Sequence, residues 1–341
     1  MPRLAACACA TASSGPARLP ARHSDPLEAD SPTARPGPAV RAATATGKSK
    51  VSASPVRAPL PSPHRRRRHH GRVPEGDTVW LTAHRLHAAL AGRPLLRADL
   101  RVPKLATVDL VGRRLLEVVP RGKHLMARLD GDVTLHSHLR MDGSWHLYAP
   151  GERWRGGPAH QVRAVLGTET RTAVGYRLPV LELLPTAEEG EVVGHLGPDL
   201  LGPDWDPARA LAALAADPAR PVGEALLDQR NLAGLGNVYV AELCFLRGVT
   251  PWTPFGEVAA PGKLVVLARR LLEANKARPG HVTTGDTRRG RTNWVYGREH
   301  QPCLRCGTPV RSARHGREEQ SRVAYWCPRC QRGPAPAAAG S

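Results

Sequence analysis

The stretch Leu227-Asp228-Gln229-Arg230-Asn231-Leu232-Ala233-Gly234-Leu235-Gly236-Asn237-Val238-Tyr239-Val240-Ala241-Glu242 decides the fold. A short helix is expected at 222–228 and another at 237–246, and the two glycines between them call for turns. Backbone N–H groups at a helix start can hold a phosphate. Two glycines there also fit a plain tight turn between packed helices. On either side the helical pattern continues. Asp206 suits an N-cap, Pro207 a first helical position, and Leu211 and Leu214 an apolar stripe. Leu264, Leu267 and Leu271 mark a further helix, and the Gly, Thr and Arg of 277–295 read as a loop.

Upstream the pattern changes. Gly197-Pro198, Gly202-Pro203 and Asp206-Pro207 mark a connector. Before it, strand-like runs occupy 113–119, 124–129, 133–139, 159–166 and 171–184. Val133, Leu135 and Leu139 alternate with Thr134, His136 and His138, which suits a half-exposed antiparallel strand. Such runs with turn residues between them predict a sandwich or barrel. A helix precedes them, with Val79, Ala83, Leu86 and Leu90 on one face, Asp77 or Thr78 as cap and Gly92 as stop.

Downstream, Cys303-x2-Cys306 and Cys327-x2-Cys330 form two knuckles. Four thiolates at this spacing predict one structural zinc, with no open position for catalysis. Arg314, Arg317 and Arg322 between the knuckles suit phosphate. Cys7 and Cys9 lie far upstream, and Cys244 in an apolar helical stretch reads as core. This is not a secreted disulfide framework. No run of eighteen apolar residues predicts a membrane span.

Pro74-Glu75-Gly76 before the first helix, the 227–242 stretch and the cysteine pairs resemble, in this order, the formamidopyrimidine-DNA glycosylase/endonuclease VIII family of DNA-repair enzymes. The resemblance covers about residues 74–332. It implies an α+β multidomain protein: an N-terminal catalytic β-sandwich (74–195), a linker (196–206), a helix–two-turns–helix DNA-binding domain (207–296) and a zinc finger (297–332). It implies a bifunctional DNA glycosylase/AP lyase, monomeric and cytoplasmic, with damaged DNA as partner and no small-molecule cofactor.

Residue by residue, the family's N-terminal proline nucleophile maps onto Pro74, and its acid/base onto Glu75. Lys123, in Arg121-Gly122-Lys123-His124, maps onto a phosphate-binding, catalytic lysine; such a residue is otherwise a solvated turn lysine. Asn237 maps onto a DNA-backbone contact, and Asp228 onto a brace for the turns. Arg322 stands five residues before Cys327, like the arginine at the tip of the family's finger hairpin. Arg298 reads as structural. Met141, in His138-Leu139-Arg140-Met141-Asp142-Gly143, maps onto an intercalating residue, with core packing as the alternative. His136 and His138 read as ordinary strand residues. Asp77-Thr78 stands where the family frequently has Pro-Glu. With Met141-Asp142-Gly143 it suggests the endonuclease VIII-like branch, acting on oxidised pyrimidines or bare abasic sites.

The net charge is +19, which favours a polyanionic partner. Residues 1–72 hold +10 of it, and the remainder stays basic without them. That leader is rich in Ala, Pro, Arg and Ser, ends in Arg65–Arg68 and is expected to be disordered, as is the tail from 333. Three origins fit the leader: a transit-like peptide, a basic arm for DNA, or a start assigned too far upstream. The chemistry favours the last, because an acylated proline nitrogen is an amide and no nucleophile. The rival functions are a non-catalytic zinc-containing DNA-binding protein and a basic RNA-binding protein. Neither has a use for Pro74-Glu75 ahead of a capped helix.

Overall fold

The computed structural model describes residues 73–316 and 321–336. The basic leader, Arg317 and the end of the tail lie outside the described residues. Helix α1 (Gly76–Leu90) buries Val79, Ala83, Leu86 and Leu90, the spacing that predicts it. It starts ahead of both expected caps, so Asp77 sits inside the first turn and its carboxylate is spent elsewhere.

Eight strands follow: β1 (Arg97–Leu100), β2 (Leu115–Arg121), β3 (His124–Leu129), β4 (Val133–His138), β5 (Ser144–Tyr148), β6 (Val162–Gly167), β7 (Thr172–Tyr176) and β8 (Val180–Pro185). They form two antiparallel sheets, β1-β6-β7-β5 and β2-β3-β4-β8. One core draws Leu115, Leu125 and Leu135 from one sheet, Ala164, Leu166 and Ala173 from the other, and the apolar face of α1. Each fully buried leucine contributes about 2–3 kcal/mol. This is the expected sandwich. The run 171–184, however, is two strands in different sheets. The chain turns at Arg177, with φ 48, and crosses from one sheet to the other. β1 and β5 escape a pattern reading because each is short and neither alternates cleanly.

A short helix α2 (Glu189–Val193) leads into the connector. Residues 196–200 are buried rather than exposed. Gly197 N donates to Gln229 O (2.9 Å), and Pro198 O and Ala233 O accept from Ala233 N and Leu200 N. Helices α3 (Pro207–Ala215), α4 (Val222–Leu227), α5 (Asn237–Arg247) and α6 (Pro261–Asn275) then build a second core, in which Cys244 is fully buried. Asp206 caps α3 through Ala208 N and Arg209 N. The hairpin β9 (Arg311–His315) and β10 (Arg322–Trp326) packs with the cysteines against Ala241 and Phe245 of α5. The loop 277–295 has no regular structure, yet buried Glu242 gathers it. Its carboxylate accepts from Trp294 N, Val295 N and Tyr296 N (2.7–2.9 Å) and from the Thr283 hydroxyl.

Strand β4 departs from expectation in one respect. Its polar face is buried, because residues 186–195 cover it. Thr134 donates to Glu189 (2.7 Å), which also binds Arg128. His136 Nδ1 lies 2.6 Å from Glu182, and His136 Nε2 lies 2.9 Å from His124 Nδ1. A carboxylate only accepts, so Nδ1 of both rings carries the proton. Burial, then the neighbouring His138 and His136, push the His124 imidazole down to about 3. Burial and Arg140 push His138 down to about 4.

Both histidines have folded pKa values below the unfolded one. Their contribution is therefore intact above about pH 6.5 and is lost as pH falls towards the folded values. At pH 5 the loss from His124 alone is on the order of 2 kcal/mol. Melting temperature measured from pH 7.5 to 4.5 should fall accordingly, and less steeply in His124→Gln. Identical slopes for the two proteins would contradict the linkage.

Candidate active site

Glu75 is the residue before α1, and its side chain does not cap its own helix. It crosses to α5 instead. One carboxylate oxygen accepts from Gly236 N (2.7 Å), the other from Val238 N (2.7 Å), and Tyr239 N lies at 3.5 Å. Gly236 is the N-cap of α5 and has no side chain with which to cap it. Glu75 therefore supplies the cap from 161 residues away, where the helix N–H groups are unpaired and the dipole favours an anion. The phosphate that a free helix start invites is thus pre-empted by a carboxylate, and the turn reading of the two glycines applies.

Close backbone approach makes this possible. Gly76 N donates to Gly234 O (2.8 Å). A Cβ on Gly76 would lie 2.9 Å from Gly234 Cα, and one on Gly236 would lie 2.6 Å from the Glu75 carboxyl carbon. Gln229 holds the turns in shape: its amide donates to Leu227 O and Leu235 O, and its carbonyl accepts from Gly234 N. Asp228 braces them through Arg220 and Arg230.

Pro74 is half-buried at the head of this assembly, and Glu75 is fully buried. Burial pushes the Glu75 carboxyl up, against the opposing pull of His281 and Lys123. Lys123 sits in the β2–β3 turn. Gly122 N in that turn donates to buried Asp199 (2.6 Å), and Arg121 pairs with Asp204 (2.6 Å). Desolvation lowers the Lys123 ammonium, Glu75 raises it and Arg322 lowers it further. Lys123 thus feels the charges of both Glu75 and Arg322. Asn237, first in α5, donates to Val323 O of β10 (2.8 Å), which ties the helix to the strand that carries exposed Arg322. Expected site residues from four distant segments are thus linked.

Met141 is 60% exposed at the tip of a tight turn in which Gly143 N donates to Leu139 O. Core packing is excluded for it. Arg298 is buried and donates to Gly290 O and Pro302 O, as befits a structural residue. The thiol sulfurs of Cys303, Cys306, Cys327 and Cys330 lie within 4.8 Å of one another, with Cys306–Cys327 at 3.4 Å and Cys303–Cys330 at 3.9 Å. The edge of a tetrahedral four-thiolate zinc site is about 3.8 Å, so the donor set fits a metal ion.

Sequence reasoning missed a second group beside Glu75. Asp77 accepts from the Tyr239 phenol (2.6 Å) and lies 3.2 Å from His281 Nε2 in the 277–295 loop. Positions 77 and 281 share no periodic or spacing signal. Asp199, pinning Lys123's turn from inside an apparent linker, and Glu242 were equally silent.

Comparison with known proteins agrees with this architecture. Residues 73–177 match the formamidopyrimidine-DNA glycosylase N-terminal domain. The chain is 65% identical over 270 residues to a probable endonuclease 8 2 of Streptomyces coelicolor, covering 79% of this chain and 97% of that protein. It is 50% identical to the DNA-(apurinic or apyrimidinic site) lyase Nei2 of Mycolicibacterium smegmatis (76% and 99% covered) and 35% identical to a formamidopyrimidine-DNA glycosylase of Cereibacter sphaeroides (76% and 99%). The fold matches a MutM structure in complex with carbocyclic 8-oxo-G containing DNA, with TM-score 0.64 at 22% identity, covering 76% of this chain and all of that one. With relatives this similar matched over nearly their whole length, the chain belongs to the formamidopyrimidine-DNA glycosylase/endonuclease VIII family of DNA-repair enzymes.

Proposed function

We propose that this protein is a bifunctional DNA glycosylase/AP lyase of base excision repair, of the endonuclease VIII-like branch, acting on oxidised pyrimidines and abasic sites. The observation that carries the reading is Glu75. It is a buried carboxylate locked on a helix N-terminus, next to Pro74 and facing the Lys123 charge. Pro74, as a free secondary amine, attacks C1′ of the damaged nucleotide. The bond to the base breaks, and the base leaves with a proton. Glu75 protonates the sugar ring oxygen as its bond to C1′ breaks, leaving the Pro74 nitrogen bonded to C1′ as an iminium, and Glu75 returns as base. The iminium acidifies the 2′ proton, and its removal expels the 3′ phosphate. Lys123, Asn237 and Arg322 hold phosphates, and Met141 fills the gap left by the extruded base. The work divides along the chain as 74–195 for chemistry, 207–296 and 297–332 for grip. The protein acts as a monomer in the cytoplasm, with damaged DNA as partner.

The amine requires that the acting chain begin at Pro74, because Val73 acylates it otherwise. Protein beginning at Pro74 should form a borohydride-stable adduct with abasic DNA and nick the strand. Protein beginning at Met1 should bind DNA yet form no such adduct. Equal trapping by both, with each N-terminus checked by mass spectrometry, would make some other amine the nucleophile, Lys123 first. No adduct from either would leave a DNA-binding protein without lyase chemistry.

Lys123→Ala should slow base release by about 1–3 kcal/mol of barrier, since one charge-assisted phosphate contact is lost. Its melting temperature should hold. A large drop in melting temperature with an unchanged rate per folded molecule would make Lys123 structural.

Cys303, Cys306, Cys327 and Cys330 hold one structural zinc in this reading. The ion links the two knuckles, and its binding energy, roughly 10–16 kcal/mol in comparable peptides, is folding energy. Metal analysis should give one zinc per chain, and chelation should unfold the finger and weaken DNA binding. Full DNA affinity in Cys303→Ala/Cys327→Ala would refute this.

A further inference from the structure

Three side chains that this chemistry leaves unused meet beside Glu75. Asp77 is 2% exposed, Tyr239 is fully buried, and only 6% of the His281 side chain is exposed. They come from α1, α5 and the 277–295 loop. The Tyr239 phenol donates to Asp77 Oδ2 (2.6 Å), and Thr78 N donates to Asp77 Oδ1 (2.7 Å). Tyr239 keeps its proton, because burial and Asp77 both make its phenol a much weaker acid than usual. Asp77 is therefore an acceptor with one oxygen committed to a fixed donor. His281 Nε2 stands 3.2 Å from the other oxygen and 3.4 Å from Thr78 Oγ1, and its ring meets Tyr239 edge-on at 5.2 Å. A carboxylate cannot donate, so the Asp77 contact places a proton on Nε2. The imidazole is thereby aimed and its tautomer set.

The charges around this group are few. Glu75 and Asp77 are acidic. Lys123 faces Glu75, Arg278 faces Tyr239, and the Tyr296 phenol faces Glu75. His281 is the one imidazole among them. A positive charge on it draws Glu75 towards the ionised form, whereas Asp77 opposes ionisation.

We propose that His281 is a positioning residue for the reaction: oriented by Asp77, it sets how readily Glu75 holds its proton. This rests on reading Glu75 as the acid/base. It also makes the loop part of the machinery. Glu242 seats that loop through Thr283, Trp294, Val295 and Tyr296, so seating the loop delivers the charge that poises the acid.

The test uses protein beginning at Pro74, whose single-turnover base release is followed from pH 5 to 9. Glu75→Gln identifies the limb that Glu75 governs. In His281→Gln that limb should move to higher pH by about half a unit or more, because a neighbouring positive charge is lost. In an Asp77→Asn background the same substitution should move it less. Binding to a duplex with a tetrahydrofuran abasic analogue should change less than about twofold, a small fraction of a tenfold step. Superimposable profiles of wild type and His281→Gln would overturn the proposal, whatever happens to stability. Should His281→Gln fail to fold, the imidazole nitrogen signals of His281 give the same answer by NMR. They should titrate at different pH in wild type and Glu75→Gln, and coincident curves would overturn the coupling. Full-rate base release by Glu75→Gln would instead sink the reading of Glu75, a separate failure that the NMR coupling does not share.

Discussion

One carboxylate on one helix end organises this protein. Glu75 satisfies N–H groups at the start of α5 that Gly236 cannot cap. A buried carboxylate without partners would cost several kcal/mol, and so would buried unpaired helix N–H groups. Each solves the other's problem. The bond also fixes α1, which belongs to the sandwich core, against α5, which belongs to the helical core. Gly76 is a glycine because a Cβ there would strike the Gly234 backbone, Gly236 because one would strike the Glu75 carboxyl, and Gly234 because its φ of 110 disfavours any other residue.

The same interface explains why the chain between the lobes is buried. A free hinge would let Glu75 leave α5. Instead residues 196–200 are stitched to 229 and 233, and Asp199 reaches back to Gly122. The turn that presents Lys123 is thus anchored to the same two-turn segment that receives Glu75. Asn237 extends the chain of contacts to β10 and Arg322. Contacts thus run from the sandwich turn through the two-turn segment to the hairpin that carries Arg322.

Legibility in the sequence follows the range of the physics. Helices with a strong apolar stripe, such as α1 and α6, could be read, as could the Asp206 cap and the cysteine knuckles, because their signals are local. Local context, as in Arg121-Gly122-Lys123-His124, carried the site residues by resemblance. The burial of His136 could not be read, because alternation marks two faces but does not say what covers each. Residues 186–195 do so, some fifty positions away. Nor could the partnership of Asp77 with His281, 204 residues apart. Arg177 hid a change of sheet inside one apolar run, since a single residue with positive φ leaves no composition signal.

The arrangement carries a tension that shapes the site. Burial pushes the Glu75 carboxyl up and the Lys123 ammonium down, each weakening the other's charge. The α5 N–H groups and Lys123 work against burial at Glu75, Glu75 works against it at Lys123, and Arg322 works with it there. Neither group is free to settle at its solution behaviour. A DNA phosphate entering between Lys123 and Arg322 would relieve their mutual repulsion and strengthen the ammonium's claim to its proton. The added negative charge would in turn oppose ionisation of Glu75. If Glu75 is the acid and Lys123 a phosphate contact, as proposed, substrate binding and acid strength would be coupled through Lys123.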